Sequence, residues 1–296
     1  MLEHLLTEQP NPASEGIDAL PTEQILAIIN NEDRKVAEAV AQELPAIARA
    51  VDVIVNAFER GGRLFYIGAG TSGRLGVLDA AECPPTFNVP PEMVQGIIAG
   101  GAAALSGATE TSEDDAPIGV RDLRDHGFTE RDVLVGIAAS GRTPYVLGAV
   151  GEASRIQAFT IGISCTPDSD LARAVKLPIT LLVGPEIVAG STRMKAGTAT
   201  KMVLNMLTTA SFIRLGYVYS NLMVNVQPKN SKLADRAQRI VAIAAGVSHD
   251  RAEELLAAAD NNVRTAIVMA RAGVDRVEAE RRLAGAAGRI SKALQT

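Results

Sequence analysis

Apolar residues along this chain fall into two textures. Five short β-branched runs, Arg63–Ile67, Val94–Ala99, Val133–Ala138, Ala158–Ser164 and Leu177–Val183, are continuous rather than alternating. That is the pattern of strands buried on both faces. Segments of helical spacing separate them, notably Gly73–Ala81, Pro144–Arg155 and Met194–Leu215. Strands alternating with helices predict a parallel sheet covered on both sides. Upstream, an amphipathic stretch from about Glu32 to Arg60 predicts a long helix, capped by Asn30 or Asn31, kinked at Pro45 and stopped by Gly61-Gly62. From Lys232 onward, short helical patterns are broken by Gly246-Val247-Ser248, Asn261-Asn262 and Gly273, and Asp275 with Glu278 forms a capping box. The expected fold is α/β, a doubly wound parallel five-stranded sheet with N-terminal helices and a small C-terminal helical bundle. Its expected divisions are 1–51 for helices packing on the core, 52–220 for the sheet domain and 232–296 for the bundle, after a linker near Asn225–Ser231.

Composition narrows the partners. The chain has 296 residues, 47% of them hydrophobic, which is ample for a buried core, and a net charge of −5. A mildly acidic protein has no bulk attraction for nucleic acid or anionic membrane, so neither is an expected partner. Cys83 and Cys165 are too few for a disulfide framework and lack zinc spacing. No apolar run approaches the ~20 residues needed to span a bilayer. Met1–Asn11 is acidic and has no signal-peptide pattern, so the cytoplasm is the expected location.

The chemistry gathers in three loops. The first strand ends in Gly68-Ala69-Gly70-Thr71-Ser72-Gly73-Arg74, which satisfies the dinucleotide pattern G-x-G-x-x-G. That use requires an acid closing the second strand to hold a ribose. Here the second strand closes with Ala99-Gly100-Gly101, which argues against it. Thr71 and Ser72 instead offer hydroxyl donors at a helix N-terminus, a setting suited to phosphate. The third strand ends likewise, in Ser140-Gly141-Arg142-Thr143-Pro144, and Gly190-Ser191-Thr192-Arg193-Met194-Lys195 opens the last long helix. Any one of these is also an ordinary capped helix start. Three together, two at strand C-terminal ends and one after the last strand, indicate a small phosphorylated ligand.

His4, His126 and His249 lie outside the loops, so a Ser–His–Asp arrangement has no support. Carboxylates remain. Glu82 follows the first crossover helix at a point where Pro84 and Pro85 are expected to end it, and Glu113 follows the second strand. Taken singly, each has the profile of a solvated surface acid.

Several long stretches change that picture. Gly68 to Gly76, Ala81-Glu82-Cys83-Pro84-Pro85-Thr86, Ser112-Glu113-Asp114, Gly136 to Tyr145 and Ser191 to Lys201 occur in this order, with Asn11 to Asp18 and Asn31-Glu32-Asp33 before them. With these the chain resembles the N-acetylmuramic acid 6-phosphate etherases, which are built on the sugar isomerase (SIS) domain and are related to glucokinase regulatory protein. The resemblance implies a carbon–oxygen lyase without metal or organic cofactor, acting as a homodimer. It implies Glu113 as the base at C2 of an open-chain sugar phosphate and Glu82 as the acid at the C3 ether oxygen. Pro84, Pro85 and Phe87 are expected to give Glu82 a partly apolar setting. Thr71, Ser72, Ser140, Gly141, Thr143, Ser191 and Thr192 are the expected substrate contacts, with Lys195 or Arg193 adding charge. The C-terminal bundle resembles a ubiquitin-associated domain. A helix from Gly73 to Glu82 spans about 14 Å, which suggests that Glu82 serves the site of a second copy. Two other readings stay open: an aldose–ketose isomerase, and a non-catalytic sugar-phosphate sensor.

Overall fold

The computed structural model describes residues 6–107, 113–226 and 231–295. Ser112 and the centre of the expected linker, residues 227–230, lie outside them. Internal packing divides the chain into two units, Met1–Ala81 with Pro91–Thr208, and Glu82–Pro90 with Thr209–Thr296.

The first unit is built on five parallel strands, β1 (Leu64–Gly68), β2 (Val94–Ile98), β3 (Val133–Ile137), β4 (Phe159–Ser164) and β5 (Leu177–Thr180), in the order β2-β1-β3-β4-β5. Strands β1 and β3 are buried along their whole length, as continuous apolar runs require. Ahead of the sheet come α1 (Thr22–Gln42) and α2 (Leu44–Glu59). The single expected helix is thus two. The chain breaks at Glu43, and Pro45 sits in the first turn of α2, where its missing N–H costs nothing. The start at Thr22 also corrects the expected Asn30 or Asn31 cap, since both asparagines lie inside α1.

Between the strands run α3 (Gly70–Phe87), α4 (Ala116–Asp125), α5 (Pro144–Arg155), α6 (Asp170–Ala174) and, after β5, α7 (Lys195–Arg214). Helix α3 does not stop before the prolines. It carries Pro84 and Pro85 internally, and Asn88 N–H still donates to the Pro84 carbonyl at 2.8 Å, so the last turn closes. Glycine lets α4 and α5 touch backbone to backbone. A Cβ on Gly119 would lie 1.9 Å from the Tyr145 carbonyl oxygen, and one on Gly148 would lie 2.3 Å from that of Ala116. The Tyr145 hydroxyl donates to Asp122 at 2.9 Å and locks the pair.

In the second unit a short hairpin, β6 (Val218–Tyr219) and β7 (Leu222–Met223), precedes α8 (Ser231–Ala245), α9 (His249–Ala258), α10 (Val263–Ala272), α11 (Arg276–Gly285) and α12 (Ile290–Ala293). Ser248, Asn262 and Asp275 each cap the following helix through a side-chain oxygen, and Gly273 ends α10 at φ 66°. Only half of the expected capping box forms, because Glu278 turns to Arg281 and Arg282. Val241, Leu256, Ala266, Ile267 and Leu283 are among the residues that make the bundle's core.

The α4–α5 approach is directly testable. Gly119→Ala forces those backbones apart, and overpacking of this kind costs about 3 kcal/mol. The expected result is a lower urea midpoint with an unchanged slope; an unchanged midpoint would mean that the two helices part freely.

Candidate active site

From β1 the chain crosses to β2 on one side and then returns to β3 on the other. The loops leaving β1 and β3 therefore diverge over a topological switch point, the place where open α/β sheets bind ligands. Gly68 stands in register with Ile137, so the two Gly-rich loops begin side by side.

The first loop folds back on itself with no room to spare. A Cβ on Gly73 would fall 2.6 Å from the Gly68 carbonyl oxygen, so strand and helix meet through main chain alone. Helix α3 starts at Gly70, which puts Thr71 and Ser72 in its first turn, where the helix dipole favours an anion. Both residues are half-buried, and among the described residues neither hydroxyl has a hydrogen-bond partner.

In the second loop Gly141 adopts φ 68°, and a Cβ there would sit 2.3 Å from the Ser169 Cβ. Ser140 Oγ accepts from the Arg142 N–H at 3.3 Å, while the exposed Arg142 guanidinium faces Asp170 at 3.6 Å. Thr143, only 7% exposed, donates its hydroxyl to Glu113 Oε1 at 3.1 Å. The Tyr145 N–H donates to the Glu113 carbonyl, also at 3.1 Å. Asp115 caps α4 two residues further on, through the Ile118 N–H. Glu113 is thus fixed by main chain and side chain together against the start of α5, and its second carboxylate oxygen has no partner among the described residues.

The third loop returns from β5 to the same edge. A Cβ on Gly197 in α7 would lie 3.5 Å from Thr71 Cγ2, so the first turn of α7 packs beside the first loop. Ser191 and Thr192 are half-buried, with no hydroxyl partner among the described residues, and Arg193 is exposed. Lys195 does not face this opening. It is 1% exposed, and its Nζ donates to Glu32 Oε2 at 2.6 Å. The N–H groups of Lys195 and Ala196 are both taken by the Glu186 carboxylate at 3.0 Å. Asn11 completes the network, donating to Glu32 and to the Pro185 carbonyl, each at 3.0 Å.

Burial would raise the Glu32 carboxyl, but hydrogen bonds from Lys195, Lys35 and Asn11 outweigh it and hold the group down to about 2. Burial pushes the Cys165 thiol up to about 12, with the Glu186 charge adding to it, so Cys165 is packing and not a nucleophile. Sequence reasoning gave Glu186 no role. One acid inside Leu181–Ala189, an otherwise apolar or turn-forming stretch, was the available signal of a buried carboxylate.

Glu113 and the residues of the three loops lie in the first unit. Glu82 belongs to the second. It is exposed in the single chain, and of its expected neighbours Pro84 is half-buried and Pro85 exposed. Phe87 turns inward to stack on Phe212 at 4.4 Å instead, because a ring gains more from burial than from covering an exposed helix face.

Sheet, switch point and hydroxyl-lined loops are those of a sugar isomerase (SIS) domain. Residues 46–154 match the glucokinase regulatory protein N-terminal SIS domain, and residues 125–210 match the SIS domain itself. The chain belongs to the family of N-acetylmuramic acid 6-phosphate etherases. A protein of that name from Aeromonas hydrophila is 56% identical over 291 residues, covering 98% of each chain. Another from Clostridioides difficile is 51% identical over 295 residues, covering 100% of this chain and 97% of its own. A solved structure from Bacteroides fragilis, described as a candidate phosphosugar isomerase involved in capsule formation, matches at a TM-score of 0.50. Its 20% identity, over 67% of this chain and 94% of that one, speaks for the fold alone.

The Glu32 network carries a pH signature. A carboxyl held near 2 when folded, against an ordinary 4.5, stabilises the fold fully above about 4.5 and loses that contribution as pH falls towards 2. The stability gap between wild type and Glu32→Gln, from urea midpoints, is therefore expected to be constant from pH 5 to 7 and to shrink below about 4.5. A gap that widens on acidification would exclude an ionised Glu32.

Proposed function

We propose that this chain cleaves the D-lactyl ether of N-acetylmuramic acid 6-phosphate, giving N-acetylglucosamine 6-phosphate and D-lactate. What carries the reading to particular atoms is the placement of Glu113. The Thr143 hydroxyl holds one of its oxygens at 3.1 Å, at the rim of hydroxyl-lined loops on the switch-point edge.

An ether is a poor leaving group, so direct displacement is slow. In the open-chain aldehyde, the C1 carbonyl acidifies the C2 proton. Glu113 removes that proton while Glu82 gives one to the C3 oxygen. The C3–O bond breaks, lactate departs, and a double bond forms between C2 and C3. Water then adds at C3, giving up a proton to the Glu82 carboxylate, while Glu113 returns a proton to C2. This is general acid–base catalysis by two groups in opposite protonation states. Thr71, Ser72, Ser140, Gly141, Thr143, Ser191 and Thr192 supply neutral donors to the phosphate and sugar hydroxyls. Because Glu82 is exposed in the single chain, the reading includes a homodimer in which a second copy covers it. A cytoplasmic protein in amino-sugar breakdown fits that substrate.

The two carboxylates have separate signatures. In deuterated buffer, Glu82→Gln is expected to exchange the substrate's C2 hydrogen while releasing almost no lactate, and Glu113→Gln to do neither. Each loss is expected at about 10²–10⁴-fold. Normal lactate release by Glu82→Gln would remove it as the acid, and exchange without elimination in Glu113→Gln would reverse the assignment. Aldose–ketose interconversion without lactate would replace the etherase reading by an isomerase.

Assembly is tested by mixing. Glu82→Gln and Ser140→Ala chains, each inactive alone, are expected to recover activity after subunit exchange, because one site then has both sound residues. No recovery in verified heterodimers would place both groups in one chain.

A further inference from the structure

Lys195 follows the Ser191–Thr192 hydroxyls by three residues, the position from which a cation would meet a phosphate. Its surroundings point elsewhere. The ammonium is buried on Glu32 at 2.6 Å, and Glu32 also receives Asn11 and the exposed Lys35. Glu186, 1% exposed, occupies the N–H groups at the start of α7, so the positive end of that helix already holds a carboxylate. Moving Lys195 to a phosphate would leave the buried Glu32 carboxylate with only Asn11 and the exposed Lys35, and breaking a buried pair is strongly unfavourable.

We propose that Lys195 is a positioning residue of the anion site and not one of its ligands: paired with Glu32, and with Glu186 capping the helix, it anchors the first turn of α7 and so fixes the Ser191–Thr192 loop. The same turn packs Gly197 beside Thr71, so it also sets the spacing between the first and third loops. Threads from the N-terminal segment hold the loop's other end. Ser14 Oγ donates to the Ile187 carbonyl at 2.8 Å, and the Gly190 N–H donates to the Thr7 carbonyl at 3.0 Å. The inference rests on the function proposed above for what the loop binds, but not for how the loop is held.

The test compares Lys195→Met, Glu32→Met and the double variant. Three quantities are read: melting temperature, amide hydrogen exchange over residues 186–198, and calorimetric affinity for N-acetylglucosamine 6-phosphate, taken well below each melting point. Lys195→Met breaks the buried pair and leaves Glu32 only Asn11 and the exposed Lys35, so its melting temperature is expected to fall by about 10 °C. Exchange across the loop accelerates, and affinity falls by about tenfold or more. Adding Glu32→Met removes the under-compensated buried carboxylate, and an apolar pair often replaces a buried ion pair without loss. All three quantities then return, with affinity within about threefold of wild type. If the double variant regains stability and protection but stays about tenfold weaker for the sugar phosphate, Lys195 touches the phosphate and the proposal falls. Unaltered exchange in Lys195→Met overturns it too. If wild type itself binds no sugar phosphate, the functional reading fails separately, and the anchoring is decided by the melting and exchange data alone.

Discussion

The fold depends on main chain meeting main chain at places where no Cβ fits. Helix α3 lies on the sheet through Gly73 against Gly68, through Gly76, where an added Cβ would lie 2.8 Å from Tyr66 Cβ, and over Gly96, where one would lie 2.5 Å from Val77 Cα. Glycine inside an element costs roughly 0.5–1 kcal/mol relative to alanine. A methyl group forced into such a contact costs about 1–3 kcal/mol, so close approach prevails. Function follows from it. Because α3 cannot lift from β1, the Thr71 and Ser72 hydroxyls stand at a fixed height above the strand ends, and Gly119 and Gly148 hold Glu113 beside Thr143 in the same way.

Such contacts are half legible in a sequence. The central strands β1 and β3 were legible because a strand covered on both faces must be apolar at every position, and that leaves a local mark. Helix ends were less so. Asn30 and Asn31 have good cap chemistry, yet α1 passes through them, because Glu32, Val36 and Val40 bury one face and the turns before them continue the same helix. Pro84 and Pro85 have poor helix chemistry, yet α3 passes through them as well. A proline removes its own N–H but keeps its carbonyl, and the Pro84 carbonyl still receives Asn88. In both cases tertiary packing outweighed local preference.

The site divides along the same line. The three loops proposed to hold the ligand are local in sequence, so their Gly, Ser and Thr clusters could be found by inspection. What holds the third loop is not local. Lys195 and Glu32 are 163 positions apart, and Asn11 reaches Pro185 across 174. No spacing rule joins such residues. Only the burial of both charges separates an anchor from a ligand.

That distinction bears on how an acidic chain can hold a dianion. The nearest buried cation is already neutralised, and Arg142 and Arg193 are exposed, where solvent weakens their attraction. On the proposed function, hydroxyls and the N–H groups of α3 therefore bear most of the recognition. A fixed array of neutral donors stabilises an anion only if its geometry is held beforehand, because each donor gives up water to bind. This ties the rigid glycine contacts to the buried ion network. The first sets the height of one hydroxyl pair, the second sets the position of the other, and a phosphate between them needs both.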